Sequence, residues 1–365
     1  MTYKVIQWAT GGVGRASIEG ILDHPELELV GCWVHSESKE GKDVGEFIGR
    51  EPVGVKATRD VDALLALGAD CVMYSPLMAN PAEVEKILAS GANVVTPLGW
   101  VYPKQIDTSG VEAACAKGKS TLHGTGIHPG GITERFPLMV SGLSRAITHV
   151  RAEEFSDIRT YGAPEIVSEM MLFGKTPEQA KTSPMAKILG GGFMQSVDMV
   201  ADALGFDLDA EKRTIHEIAV ATSPIESPIG DIAPGHVAAQ RFAWQGLVRG
   251  EVVITAAVNW FMGDQNIEPV PGGDPSLPWS FGEGGERFEV EITGDPTTHL
   301  TFHGWHPESI ASGLERNNGI VATAMHCVSA IPYTCAADSG IKTYLDLPLI
   351  AGRAAPSLHR SGGGE

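Results

Sequence analysis

Short apolar runs alternate with stretches of helical period from residue 4 to about residue 130. This alternation predicts successive βα units and hence a parallel sheet. Six strands are expected, over Lys4–Ala9, Glu28–Val34, Val55–Thr58, Cys71–Ser75, Asn93–Pro97 and Ser120–Thr125. Between them, apolar residues at i, i+3 and i+4, such as Ile18, Ile21 and Leu22 or Val84, Ile87 and Leu88, mark amphipathic helices. Asn80-Pro81-Ala82-Glu83 offers a cap, a proline at the first helical position and an acceptor three residues on. Ser109-Gly-Val-Glu112 repeats the capping-box pattern.

Beyond about residue 145 the runs lengthen and alternate with period two, over Ile147–Arg159, His236–Trp244, Glu251–Trp260, Arg287–Thr293 and His299–Trp305. Gly/Pro-rich loops such as Pro269–Pro278 separate them, which predicts a mainly antiparallel sheet. Met185, Ile188, Leu189, Met199, Val200 and Leu204 predict helices packed on one face of that sheet. The alternating Val252, Ile254 and Ala256 leave a face or edge to be covered, and a homodimer joined through this region is expected. Asn318–Ala330 is again helical in period; with the run Leu345–Ile350 it is expected to return to the first domain. The Gly/Ser-rich tail Pro356–Glu365 is expected to be disordered.

Charge narrows the partners. Lys and Arg number 27 against 45 Asp and Glu, and the net charge of -18 repels a nucleic-acid backbone or an anionic membrane surface. Cys32, Cys71, Cys115, Cys327 and Cys335 are scattered, with no CxxC pair, which argues against a disulfide framework and a zinc site. Nowhere do about 18 apolar residues run uninterrupted, and Met1 leads straight into an apolar strand. The expectation is a cytoplasmic protein that acts on a small molecule, with neither nucleic acid nor membrane as partner.

Chemistry concentrates at the carboxyl ends of the expected strands. Thr10, Gly11, Gly12, Val13 and Gly14 link the first strand to the first helix, where glycines let the backbone approach a pyrophosphate met by a helix N-terminus. Only Gly11 and Gly14 keep the GxGxxG spacing, yet the surrounding strand, turn, helix and βα series make a Rossmann-type dinucleotide site a better reading than a bare tight turn. At the second strand's end no acidic residue stands ready for ribose hydroxyls. His35, Ser36 and Lys39 suit a 2′-phosphate instead, so NADP is expected, with NAD as the second candidate because Glu37 lies close. Ser75 and Pro76, ending the fourth strand, and Gly126, in the sixth-strand turn, join the cofactor set for the same positional reason. His128 in that turn is a candidate proton donor, against a loop imidazole bonded to backbone as the plain alternative; His123 reads as structural.

Two other groups weigh less. His299 and His303 share a strand face that His306 does not, which argues against a metal centre. Glu154 and Asp157 have opposite parity, so only one can face a cleft as an acid.

Several separated segments together resemble the relatives of dihydrodipicolinate reductase that include 2,4-diaminopentanoate dehydrogenase and the native amine dehydrogenases. They are Gln7-Trp-Ala-Thr-Gly-Gly-Val-Gly14, Trp33-Val-His-Ser-Glu37 with Gly41-Lys-Asp-Val-Gly-Glu46, and Gly124-Thr-Gly-Ile-His-Pro-Gly130. Glu153-Glu-Phe-Ser-Asp157, Phe173-Gly-Lys-Thr-Pro177 and Tyr344-Leu-Asp-Leu-Pro348 complete the set. The resemblance implies a Rossmann domain joined to an α+β domain that carries the dimer contact, with NAD(P)H reducing an imine or carbonyl carbon. It also implies a glutamate after the fifth strand, but here that position falls on Leu98 or Gly99, and an Asn before Pro-Gly is replaced by His128. The paired-His-plus-Lys helix signature of dihydrodipicolinate reductase itself is missing.

The expected organisation is therefore α/β, with an N-terminal Rossmann-type parallel-sheet domain over 1–135 and a C-terminal α+β domain over 136–315. A return segment over 316–355 and a disordered tail over 356–365 follow. The expected activity is NAD(P)H-dependent reduction of a C=O or C=N bond of a small, fairly apolar substrate, with His128, Tyr102 and Glu154 as catalytic candidates and Trp100 and Tyr161 beside them. Reductive amination with ammonia and a non-catalytic dinucleotide sensor are the alternatives.

Overall fold

The computed structural model describes residues 2–161, 163–274, 276–303 and 318–358. The chain divides into two compact units, Met1–Gly130 with Ile320–Glu365, and Gly131–Gly319.

In the first unit, β1 (Tyr3–Trp8), α1 (Gly12–Asp23), β2 (Leu27–Trp33) and β3 (Ala57–Thr58) lead to α2 (Val61–Leu65) and β4 (Cys71–Tyr74). Then come α3 (Pro81–Ala89), β5 (Asn93–Thr96), α4 (Ser109–Gly118) and β6 (Thr121–Gly124). The six expected strands all form, within two residues of their expected bounds. A seventh, β14 (Gly340–Lys342), joins from the C-terminal segment, and the all-parallel order is β14-β6-β5-β4-β1-β2-β3. Three residues are too few to display a period, which is why β14 escapes the pattern.

Both faces of this sheet are buried, as a parallel sheet requires. Val5, Ile18, Ile21, Leu29 and Met73 pack with Cys327, Val328 and Ile331 of the C-terminal helix α8 (Asn318–Ala336) on one side; Ile6, Val72, Val84, Ile87 and Leu122 pack on the other. By length and composition the stretch Gly319–Ala336 is apolar enough to cross a membrane, and burial of Cys327, Ala330 and Ile331 in this core accounts for its apolarity. Asn80 caps α3 by accepting from the Ala82 N–H, with Pro81 at the first helical position. The capping box expected at Ser109 does not form: Asp107 takes the Ser109 N–H at 3.0 Å, and the Thr108 hydroxyl bonds Glu112 Oε1 instead.

The second unit opens with α5 (Phe136–Ser141) and β7 (Arg145–Asp157), followed by α6 (Pro177–Lys181), α7 (Met185–Leu204) and β8 (Arg213–Ala221). It continues through β9 (Val237–Val248), β10 (Glu251–Phe261), β11 (Ile267–Pro269), β12 (Arg287–Asp295) and β13 (Thr298–Phe302). The order is β11-β8-β9-β10-β7-β12-β13, antiparallel except where β10 meets β7. Strands β8 and β11 were not foreseen, because the former mixes Arg213, His216 and Glu217 into its apolar parity and the latter is three residues long.

The long helix covers one face of this sheet. Phe193 of α7 stacks on Trp244 with centroids 4.2 Å apart, and Trp244 pairs in register with Ala256. Ile254 and Ala256 share that parity, so the chain's own helix buries the apolar face that suggested a second copy. Of the expected tail, Pro356–Leu358 forms a 3-10 turn, and residues 359–365 lie outside the described residues, as do Gly304 and Trp305 at the end of the fifth expected strand.

Candidate functional site

Strand order reverses between β1 and β4, and ligands of open α/β sheets bind beyond the carboxyl ends of the strands at such a point. Gln7, fully buried on β1, organises this end. Its amide nitrogen reaches the carbonyls of Trp8 at 3.2 Å and Ala9 at 2.9 Å and the Ser75 hydroxyl at 2.9 Å, tying the glycine loop to the end of β4. The chain then turns through Ala9 at φ 73, in the left-handed region. A Cβ on Gly14 would stand 2.2 Å from the Ala9 carbonyl oxygen, so only glycine permits this approach.

The structure brings Thr10, Gly11, Gly12, Val13, Gly14 and Ser75 together here. No side chain caps α1, its first turn carries no acidic residue, and a Cβ on Gly11 would meet nothing within 4 Å. Open space beside uncapped helical N–H groups fits a pyrophosphate. Lys39 brings its ammonium to the same loop, 2.9 Å from Thr10 Oγ1. His35 and Glu37 are exposed and Ser36 is half-buried, its hydroxyl 2.7 Å from that of Ser38; Pro76 follows Ser75, also half-buried. The residues present therefore fit a dinucleotide. Gln7 escaped the sequence reading, although a glutamine within the apolar run Val5-Ile6-Gln7-Trp8 is a signal, since a buried amide must find partners.

The turns after β5 and β6 touch: a Cβ on Gly124 would lie 2.1 Å from the Gly99 carbonyl oxygen and 2.5 Å from the Trp100 backbone. Trp100 and Tyr102 are buried at 6% exposure each, and the Lys104 ammonium sits 4.8 Å from the Tyr102 ring centroid. Gly126 and the half-buried His128 occupy the neighbouring turn, closed by a bridge between Ile127 and Gly130.

Glu154 belongs to the second unit. Its Oε1 accepts from the Ser156 hydroxyl at 2.6 Å and the Trp260 indole at 3.2 Å. Burial pushes its carboxyl up to about 7 against the pull of those two bonds. The Tyr161 hydroxyl is also raised, by burial and then by Glu154. Asp157, on the other parity, accepts from Arg159 Nε at 2.9 and 3.0 Å. Sequence reasoning missed Glu286. It accepts the Asp157 N–H at 2.9 Å, and burial, followed by Asp157 and then Glu154, pushes it up to about 8. His299 pairs with Glu291 at 3.1 Å, and among the described residues no His, Cys, Asp and Glu group could hold a metal; His306 lies outside them.

Comparison with known proteins places this geometry. The family model described as the 2,4-diaminopentanoate dehydrogenase C-terminal domain matches residues 132–357. An amine dehydrogenase from Streptomyces virginiae is 31% identical over 362 residues, covering 95% of this chain and 96% of the relative. The 2,4-diaminopentanoate dehydrogenase of Acetoanaerobium sticklandii is 27% identical over 365 residues, 95% and 93% of the two chains. The solved amine dehydrogenase from Mycobacterium smegmatis shares the fold, with a TM-score of 0.74 over 98% of each chain at 21% identity. With a family match over more than half its length and a relative aligned nearly end to end, the chain belongs to the 2,4-diaminopentanoate dehydrogenase family and is an NAD(P)-dependent oxidoreductase.

Proposed function

We propose that the chain is an NADP-preferring enzyme that reduces a C=O or C=N bond of a small, fairly apolar substrate. The observation that carries the cofactor half of this reading is the Lys39 ammonium 2.9 Å from Thr10 Oγ1, at a glycine loop with no carboxylate at the end of β2. A phosphate gains from that charge, while the nearby exposed Glu37 would favour ribose hydroxyls. The apolar character of the substrate rests on Trp100 and Tyr102, with Leu98 packed against the same cluster as Trp100.

Reduced nicotinamide, when bound, supplies the hydride. The chain's residues have to supply the proton that neutralises the developing negative oxygen or nitrogen. His128, in the turn after β6, is the proposed donor, with the Tyr102 hydroxyl, in the turn after β5, as a second candidate. Glu154 is the proposed acid–base group of the second unit, because a carboxyl near 7 can hold and release a proton at neutral pH.

Reductive amination with ammonia is the second reading, favoured by the amine dehydrogenase from Streptomyces virginiae. Leu98 and Gly99, where the family's glutamate is expected, offer no counterion for an ammonium. A panel of small ketones and aldehydes with and without ammonia separates the readings: turnover without ammonia supports the first, and strict dependence on ammonia supports the second. Cofactor binding with no oxidation of NADPH by any of them would instead point to a sensor.

Four outcomes are expected. NADPH binds more tightly than NADH in a cofactor-fluorescence titration, and Ser36→Asp with Lys39→Ala reverses a preference of roughly ten- to a hundredfold; equal affinities in the unaltered protein would sink the NADP assignment. His128→Ala lowers kcat by about 10²–10⁴-fold with NADPH affinity nearly unchanged, whereas full retained activity would make the imidazole structural.

The third outcome concerns stability. Folded Glu154 keeps its proton up to about 7, above the ordinary value of 4.5 that governs the unfolded chain, so its contribution is fully present below about 4.5 and lost as pH rises through 7. Glu154→Gln keeps an acceptor for Ser156 and Trp260 and carries no charge. Its melting temperature should exceed that of the unaltered protein at pH 8 but not at pH 4.5, and parallel profiles would contradict the assignment. Fourth, we propose a homodimer joined through the second unit, on the ion network that Arg151, Glu153, Arg241 and Glu289 form on the sheet face away from α7. Light scattering should return twice the chain mass at micromolar concentration, and a single chain mass would refute it.

A further inference from the structure

Three elements of the first unit meet behind the turn after β6, and none of their side chains there is claimed by the chemistry above. His326, on the inner half of α8, sets its Nδ1 in close contact with the Gly126 carbonyl oxygen. A carbonyl only accepts, so Nδ1 carries a proton and donates it here. Tyr344, just beyond β14, lies over the His326 ring with centroids 5.6 Å apart, and its hydroxyl is 3.1 Å from the same Nδ1. Because that nitrogen donates, the tyrosine oxygen shares the N–H and sends its own proton towards Thr125 Oγ1, with which it is in short contact. The edge of His123 closes the other side of the Tyr344 ring at 5.3 Å, and His123 itself is held by the Lys342 carbonyl at 2.7 Å.

The carbonyl that receives this bond has little freedom. A Cβ on Gly130 would fall 2.1 Å from the Gly126 oxygen, so the turn folds onto it. A carbonyl oxygen has two lone pairs, and the imidazole engages one of them. A second lone pair on the same oxygen can accept an amide N–H.

We propose that His326 is a positioning residue for the cofactor: its Nδ1–H orients the Gly126 carbonyl so that the oxygen's second lone pair receives the carboxamide of the nicotinamide, with Tyr344 locking the imidazole. This rests on the reading that the turn at Gly126 receives the nicotinamide end. The device explains why a polar histidine occupies a helix whose neighbours Ala324, Cys327 and Val328 are buried apolar residues.

The test compares NADPH with 2′-phospho-ADP-ribose, which lacks the nicotinamide, by calorimetric titration. His326→Leu removes the donor, His326→Asn returns an N–H near the place of Nδ1, and His326→Gln places its amide near the other ring nitrogen. Loss of one neutral hydrogen bond predicts NADPH affinity about three- to tenfold weaker in the Leu and Gln variants, recovered in the Asn variant, with affinity for the fragment unchanged throughout. Equal weakening for both ligands would show a role in folding only, and no weakening, or failure of Asn to recover what Gln loses, would also overturn the proposal. Gly126→Ala separates the premise, since its added Cβ would stand 3.0 Å from the Pro129 carbonyl oxygen and disturb the turn. If that variant binds NADPH normally, the placement of the nicotinamide fails; if it weakens NADPH selectively while the histidine variants do not, only the role of His326 fails.

Discussion

A buried side-chain amide, that of Gln7, is the contact on which the dinucleotide site is built. Strand β1 ends at a buried Trp8, whose carbonyl also accepts the Ser75 N–H at 3.1 Å, and at a half-buried Ala9. Leaving a buried carbonyl without a donor costs about 1–3 kcal/mol. The Gln7 amide serves both carbonyls and the Ser75 hydroxyl at 2.9–3.2 Å, so one residue ends β1 and ties it to β4. With Ala9 held at φ 73, α1 begins close enough that Gly14 has no room for a Cβ. The open helix N-terminus and the reach of Lys39 to Thr10 both follow from that approach. A larger residue at position 14 would push α1 from the sheet and dissolve the site without touching a cofactor.

Strand parity does comparable work in the second unit, where two adjacent glutamates meet opposite fates. Burial raises Glu153, but Arg241 outweighs it, with Asn259 and Arg151 adding to the pull, and its carboxyl is held below the ordinary range. Glu154 points to the other face, where its partners are a hydroxyl and an indole, both neutral, and burial wins. Two buried carboxylates of one dipeptide are thus a fixed anion and a near-neutral acid. On the Glu153 face, Arg151 also reaches Glu289 and Glu291, so charges of both signs neutralise one another across three strands. A buried network of this kind confers specific pairing more than net stability.

The fold was legible because its signals are periodic. Parallel strands buried on both faces read as apolar runs, and β1 to β6 appear close to their expected bounds; β14 and β11 are too short to have a period. The glycine loop was legible because only glycine tolerates the approach at Gly14. Less visible was whatever depends on residues distant in sequence. Glu286 stands out in no local pattern, yet burial beside the segment at Asp157 raises its carboxyl to about 8. His326 lies 200 residues from Gly126, inside a helix whose period announces only a core. Asp157 was a candidate acid, and it accepts from Arg159, two residues on. Parity separated it from Glu154 correctly, but could not say which partners each would meet.

The turn after β5 bears on the choice between carbonyl and amine chemistry. Gly99 at φ 95 and Trp100 at φ 53 are consecutive left-handed residues, which lets the Gly99 carbonyl meet the backbone at Gly124. A glutamate at 99 would carry backbone strain of about 1–3 kcal/mol, and one at 98 would replace a leucine packed with apolar neighbours. The turn is therefore shaped around apolar contact, which suits a neutral carbonyl or imine better than an ammonium. An ammonium taken from water demands a carboxylate, and neutral C=O or C=N asks only for a proton at the moment negative charge develops. His128 and Glu154 are the proposed donors, and burial raises the Glu154 carboxyl to about 7. At the turn after β5 the chain therefore presents apolar contact, with no carboxylate at positions 98 and 99.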